Sequence, residues 1–314
     1  MKHFTYIGNS AYCYSNSTAM LLSSIGENIP ASLIEVVGGV GIGAYALPNG
    51  NISFLSGYSG LPDKAISKAM QILGFEFKES SKQSPDNPPF DELKQSLETS
   101  PAVLGPLDMG YLSYDPNHEH HYGVDHFVLA YTLNDSEVFL HDPAGFPNVS
   151  IFLEELGLAW KAESIQYKEG NYRFWTSPKR VSSPSQQEIY FSAIKNFKEI
   201  YLTGEKYAKA KGRTIDYEAI IFMANNIQKE LLKPSEIGML TGFIFPLGAR
   251  RASDFSDFLK NDNPELAEIK AKQSNLLGLC HSFSVSKDWG KVSDNLKEFA
   301  ELEKTFKKLI LGEN

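Results

Sequence analysis

Cys13, His126 and Asp142 are the residues of this chain whose types and spacing suit catalysis. A thiol beside an imidazole, itself oriented by a carboxylate, is the arrangement of nucleophilic acyl transfer. The ring takes the thiol proton, the sulfur attacks a carbonyl, and the carboxylate fixes the ring tautomer. Cys13 falls in Asn9-Ser10-Ala11-Tyr12-Cys13-Tyr14-Ser15-Asn16-Ser17-Thr18-Ala19, where a helix begins that buries Ala19, Met20, Leu21 and Leu22. A thiol at a helix start meets the positive end of the dipole and several N–H groups, and both favour the thiolate.

The other two residues are brought together by a hairpin. Asp125-His126-Phe127-Val128-Leu129-Ala130-Tyr131 suits a strand, Asn134-Asp135-Ser136 is turn chemistry, and Glu137-Val138-Phe139-Leu140-His141 resumes the strand. Sixteen residues separate His126 from Asp142. That length allows an outgoing strand, a tight turn and a return, so the open ends of the hairpin meet. Pro143 closes the ladder just after Asp142.

Other chemistry-bearing groups read as structural. Cys280, beside His281 in a predicted helix, reads as core, because adjacent helical residues do not face one another. The two cysteines are separate thiols rather than a disulfide. Asn117-His118-Glu119-His120-His121 lacks the spacing of a helical zinc site, and Pro116 and Gly123 frame it as a solvated loop. No metal and no cofactor is implied. The run Gly38-Gly39-Val40-Gly41-Ile42-Gly43 lacks the Lys-Ser/Thr of a phosphate loop and reads as a flexible turn beside the active-site cleft.

Composition sets the outer limits. Of 314 residues, 42% are hydrophobic and 22% charged, which are globular proportions. Thirty Lys and Arg against 38 Asp and Glu leave a formal charge of −8, which argues against a general nucleic-acid binder. No apolar run is long enough for a membrane helix. Met1 to Tyr6 lack the pattern of a secretory signal, so cytoplasmic residence is expected.

The pattern changes near residue 180. Before it come a helix starting at Ser10 or Tyr12 and stopping near Gly26, helices over about 30–37, 61–73 and 90–97, a strand over 51–58, and then short strands over 102–105, 125–131, 137–141 and 172–175, an order that says α+β. Thr176 to Ser185, with two prolines, reads as a linker. After it, helices are predicted over about 186–208, 215–232, 236–260, 264–283 and 288–311, a bundle. The expected domains are therefore 1–178, carrying the chemistry, and 186–314, helical.

A cysteine opening the first helix, His-Phe-Val-Leu in a strand, and Asp-Pro sixteen residues on resemble papain-like enzymes, and bacteriocin-processing cysteine peptidases in particular. With His3, Asn16, Ala19 and the Gly38–Gly43 run, residues 1–155 are more similar still to the N-terminal family of the butirosin-biosynthesis acyltransferase (butirosin biosynthesis protein H). This resemblance implies a papain-like fold for the first domain. It also implies acyl transfer from a thioester, on a carrier protein or similar, to an amine of a small-molecule acceptor in biosynthesis. The peptidases place an oxyanion-hole Gln six residues before the cysteine, where this chain has Ile7. Asn9 is the nearest carboxamide and, with a backbone N–H near Cys13, is the oxyanion candidate. Two alternatives stay open: a cysteine peptidase or amidase on the same fold, and a catalytically silent binding or scaffold protein. The helical domain could bind an acyl carrier, cover the cleft or form a homodimer.

Overall fold

The computed structural model describes residues 4–8 and 11–313. The chain divides into two compact units. One comprises 1–34 and 62–183, the other 35–61 and 184–314. Residues 35–61, expected in the first domain, thus belong to the helical unit. Among the described residues no helix is long and apolar enough to cross a membrane.

Strands β1 (Tyr45–Ala46) and β2 (Ser53–Phe54) pair as a small ribbon in the second unit. The remaining strands are β3 (Phe75–Lys82), β4 (Ala102–Asp108), β5 (Asp125–Leu133), β6 (Glu137–Asp142), β7 (Phe146–Phe152) and β8 (Asn171–Arg180). They form one antiparallel sheet in the first unit, in the order β3-β8-β4-β5-β6-β7. The β5–β6 hairpin has the expected turn: Asn134 Oδ1 accepts the N–H groups of Ser136 and Glu137 at 2.8 and 2.7 Å. Helices α1 (Cys13–Ser23), α3 (Pro62–Ile72), α4 (Phe90–Leu97) and α5 (Leu153–Lys161) belong to this unit, and α2 (Ala31–Gly38) runs across the division at residue 35. Leu104, Val128, Ala130, Leu140, Trp160 and Phe174 anchor a core packed with α4 and α5.

Two sequence expectations change here. β3, β7 and α5 were not expected, and β8 runs through Arg180, so the first half of the presumed linker is strand. Pro178 is tolerated because it falls at a register shift between Glu76 and Lys78 of β3, where a missing N–H breaks no ladder bond. Arg180 then pairs with Glu27 at 2.5 Å and lies over the Phe75 ring. These tertiary partners outweigh the turn-like composition.

The second unit holds α6 (Gln186–Lys211), α7 (Asp216–Gln228), α8 (Pro234–Met239), α9 (Phe245–Leu259), α10 (Pro264–Val285) and α11 (Trp289–Leu311), with one π-turn, Leu240–Ile244, joining α8 to α9. Segment 35–61 is bound into it by backbone bonds. Asn196 Nδ2 donates to the Val37 carbonyl at 3.0 Å, Gly43 N–H donates to Glu303 at 3.0 Å, and Ser53 Oγ donates to the Ala219 carbonyl at 2.7 Å. The glycine run is therefore buried packing of this unit and not a flexible turn of the first. At Gly39 (φ +79°) an added Cβ would lie 2.5 Å from Ile200 Cδ1. Cys280 packs in the core of this unit with Met223, Phe245 and Leu296.

Candidate functional site

Cys13 is the first residue of α1 and is half-buried. Tyr12 before it is buried and left-handed, at φ 59°, a conformation that a non-glycine residue adopts only under tertiary constraint. Its carbonyl accepts the Asn16 N–H at 2.8 Å, and Asn16 Nδ2 donates to the Ala11 carbonyl at 2.6 Å, so both sides of the turn into the helix are tied. One helical turn beyond Cys13, the buried Ser17 Oγ donates to the Phe127 carbonyl at 3.1 Å. Phe127 follows His126, so this bond sets the height of the thiol against the imidazole. The β4–β5 register is broken between Leu104 and Leu107, opposite Phe127, where Pro106 has no N–H to offer. Gly105 is required at the break, because a Cβ there would lie 2.2 Å from the Phe127 ring.

His126 and Asp142 meet across the hairpin. Leu129 stands opposite His141, so the same register sets Asp142 opposite Val128 and His126 at the diagonal position on one face. His126 Nε2 and Asp142 Oδ1 are 2.6 Å apart, and both residues are at most 5% exposed. With the carboxylate on Nε2, Nδ1 is left for the thiol, and Cys13 is near enough to act on the ring. Burial by itself would lower the affinity of His126 for a proton. The charge and hydrogen bond of Asp142 outweigh it, Cys13 adds to them, and the ring is held well above its usual value. Asp142 is pushed up by burial but pulled further down by His126, the Ala144 N–H and Tyr114, so it stays below the ordinary carboxylate range. Both shifts favour the charged pair, imidazolium against carboxylate.

The carboxylate has two further donors. Ala144 N–H donates to Oδ1 at 2.7 Å and Tyr114 Oη to Oδ2 at 2.9 Å. The Asp142 carbonyl accepts Tyr6 Oη at 3.0 Å. Gly8 lets the segment before α1 pass this corner: a Cβ there would lie 2.7 Å from the Pro143 carbonyl oxygen. His141 serves the same segment. Its Nδ1 accepts the Asn148 N–H at 3.1 Å, which makes Nε2 the donor to the Phe4 carbonyl at 3.1 Å.

The structure thus brings Cys13, His126 and Asp142 together. Asn9, the oxyanion candidate, and His3 lie outside the described residues. Tyr114, Ser17, Tyr6 and the Ala144 N–H were not singled out from the sequence. Only Ser17 carried a signal, four residues after Cys13 on the same helical face. The histidine loop is self-contained: His118 Nδ1 lies 2.7 Å from the Gly110 carbonyl and His121 Nδ1 lies 3.6 Å from Asp115. Among the described residues no three His, Cys, Asp or Glu side chains converge as metal ligands. The Cys280 thiol is buried, and that burial pushes it up to about 12.

The chain is similar along its whole length to a protein of Bacillus subtilis (strain 168) named "Uncharacterized protein YobF". The two are 42% identical over 306 residues, covering 98% of each. Residues 210–311 match the family model described as the YobF C-terminal domain, which spans the last two residues of α6, the turn after it and α7 to α11.

Proposed function

This chain belongs to the YobF family, and we propose that its first unit is a papain-like domain that performs thiol-based acyl chemistry. The observation that carries the reading is the buried 2.6 Å contact of His126 Nε2 with Asp142, with Cys13 acting on the same ring. A half-buried cysteine opening a helix, against a sheet that supplies the imidazole and the carboxylate, suits nucleophilic attack.

The reaction follows from these roles. The Cys13 proton passes to His126 before attack, which gives a thiolate beside the imidazolium, and the sulfur forms a bond to the carbonyl carbon of a thioester, ester or amide. The carbon–leaving-group bond breaks, and the leaving group takes the proton from His126. An acyl-Cys13 intermediate results. An amine then attacks the acyl carbon, His126 takes its proton, and the carbon–sulfur bond breaks. Asp142 stabilises the imidazolium at each proton transfer. The oxyanion is held by the Cys13 N–H at the helix start and by Asn9. The resemblance to the butirosin acyltransferase family favours a carrier-bound thioester as donor and a small-molecule amine as acceptor. Water in place of the amine gives a hydrolase with the same first half.

The test is selective alkylation. Native protein is treated with iodoacetamide from about pH 5 to about pH 9, and both cysteines are followed by peptide mass. Cys13 labels fast, labelling persists below neutral pH, and His126→Ala slows it at least about tenfold at the acid end. Cys280 labels slowly throughout. Equal labelling of both cysteines, indifferent to His126→Ala, overturns the proposal and leaves the scaffold reading.

A further inference from the structure

The connection between β4 and β5 is long for a hairpin and highly ordered. Residues 109–124 contain two short 3-10 turns, Met109–Tyr111 and His118–His120. The buried Asp108 closes its base, accepting the N–H groups of Gly110 at 2.9 Å and Gly123 at 3.0 Å, and the Ser164 hydroxyl. Met109 N–H donates to the Val124 carbonyl at 2.9 Å, and the rings of Tyr111 and Tyr122 meet edge to face at 5.2 Å. Farther along, Asp115 Oδ1 accepts the Asn117 N–H at 2.9 Å. Loops of this length inside a compact unit are commonly functional. This one has both its ends beside His126 and sends the Tyr114 side chain inward to Asp142.

We propose that Tyr114 is a positioning residue of the Cys13 site, holding the Asp142 carboxylate so that Oδ1 stays on His126 Nε2, and that the 109–124 loop acts on the site through this contact. The inference rests on the acyl-chemistry reading for its consequence, but its geometry is independent of it. Asp142 accepts three hydrogen bonds on two oxygens. His126 and Ala144 N–H share Oδ1, and among the described residues Tyr114 serves Oδ2. In a buried site an oxygen without a donor is costly, so a carboxylate that loses Tyr114 turns to recover one. Turning draws Oδ1 away from the ring. The titratable groups around the carboxylate are His126, Cys13 beside the ring, Asp115 beside Tyr114, and Tyr6.

Tyr114→Phe removes the hydroxyl and keeps the ring against Phe146, which it meets at 5.8 Å, so the loop retains its packing. The experiment is a double-mutant cycle with Tyr114→Phe and Asp142→Asn. It is read by the NMR titration of the His126 ring and by the pH profile of Cys13 alkylation. Tyr114→Phe lowers the His126 midpoint by roughly one unit and slows alkylation at acid pH about three- to tenfold. In the Asp142→Asn background it does neither, because it acts through the carboxylate. The inference is overturned if Tyr114→Phe lowers only the melting temperature, or if its effect on His126 persists unchanged in Asp142→Asn. The acyl-chemistry reading fails separately, when the His126 titration responds to Tyr114 while Cys13 alkylation ignores His126→Ala.

Discussion

Replacing Asp142 by Asn removes the charge of the buried pair and keeps its shape. The side-chain oxygen still accepts from His126 Nε2 and the Ala144 N–H, and the new amide faces Tyr114 Oη, which can accept. Truncating one partner of a buried ion pair costs about 3–5 kcal/mol. Because Asn still accepts the bond, the loss is nearer the about 1.5–3 kcal/mol of one charge-assisted hydrogen bond. The pH dependence has a definite sign. His126 is raised above 6.5, so its contribution is fully present below that value and is lost as pH rises through the folded-state value. Asp142 is lowered below 3.8, so its contribution is present above that value and is lost as pH falls through the folded-state value. The pair therefore stabilises most between 3.8 and 6.5. Thermal unfolding of both proteins should show a gap of roughly 3–12 °C near pH 5, at about 2–4 °C per kcal/mol for a unit of this size, narrowing by pH 9. The alkylation of Cys13 should lose its acid limb in parallel. A melting-temperature gap that is flat with pH would refute the reasoning, since a neutral His126 would then sit beside Asp142 throughout.

Two further perturbations test the supports. Ser17→Ala leaves the buried Phe127 carbonyl without its donor and should cost about 1–3 kcal/mol in urea unfolding, with slower Cys13 alkylation as the helix loses its register on β5. Unchanged alkylation at reduced stability would mean that α1 is held in register by packing alone. In the second unit, Glu303 accepts from Tyr201, Gln273, Lys270 and the Gly43 N–H, and Lys270, buried over the Phe306 ring at 4.0 Å, is its counter-charge. Lys270→Met alone should cost about 3–5 kcal/mol by chemical denaturation, and adding Glu303→Gln should restore part of it. A double variant no more stable than Lys270→Met would show that the charge imbalance is not the source of the loss.

Local rules carried the site further than they carried the fold around it. The hairpin was legible because its turn residues, Asn134 to Ser136, and the apolar runs on either side declare themselves within twenty residues. Cys13 at a helix start and Cys280 in a core were legible from their immediate neighbours. Misreadings fell where distant segments outweigh local chemistry. Pro178 and Ser182 look like a linker, yet Arg180 among them is held by Glu27 and Phe75, far away in the chain. The glycines of 38–43 look mobile, yet Gly39 packs closely against α6, Asn196 donates to the Gly38 carbonyl and the Gly43 N–H donates to Glu303.

What the amino-acid sequence determined by itself is the chemistry available: a thiol at a helix start, an imidazole and a carboxylate at the ends of one hairpin, and an α-helical second half. These follow from short-range turn, cap and periodicity rules that need no knowledge of distant residues. The tertiary structure alone decided that residues 35–61 leave the first unit for the second. It alone put Ser17 on the carbonyl beside His126 and sent Tyr114 to the second oxygen of Asp142. Those placements depend on which buried donors and acceptors find one another across more than twenty residues, and that is settled only when the whole core is packed.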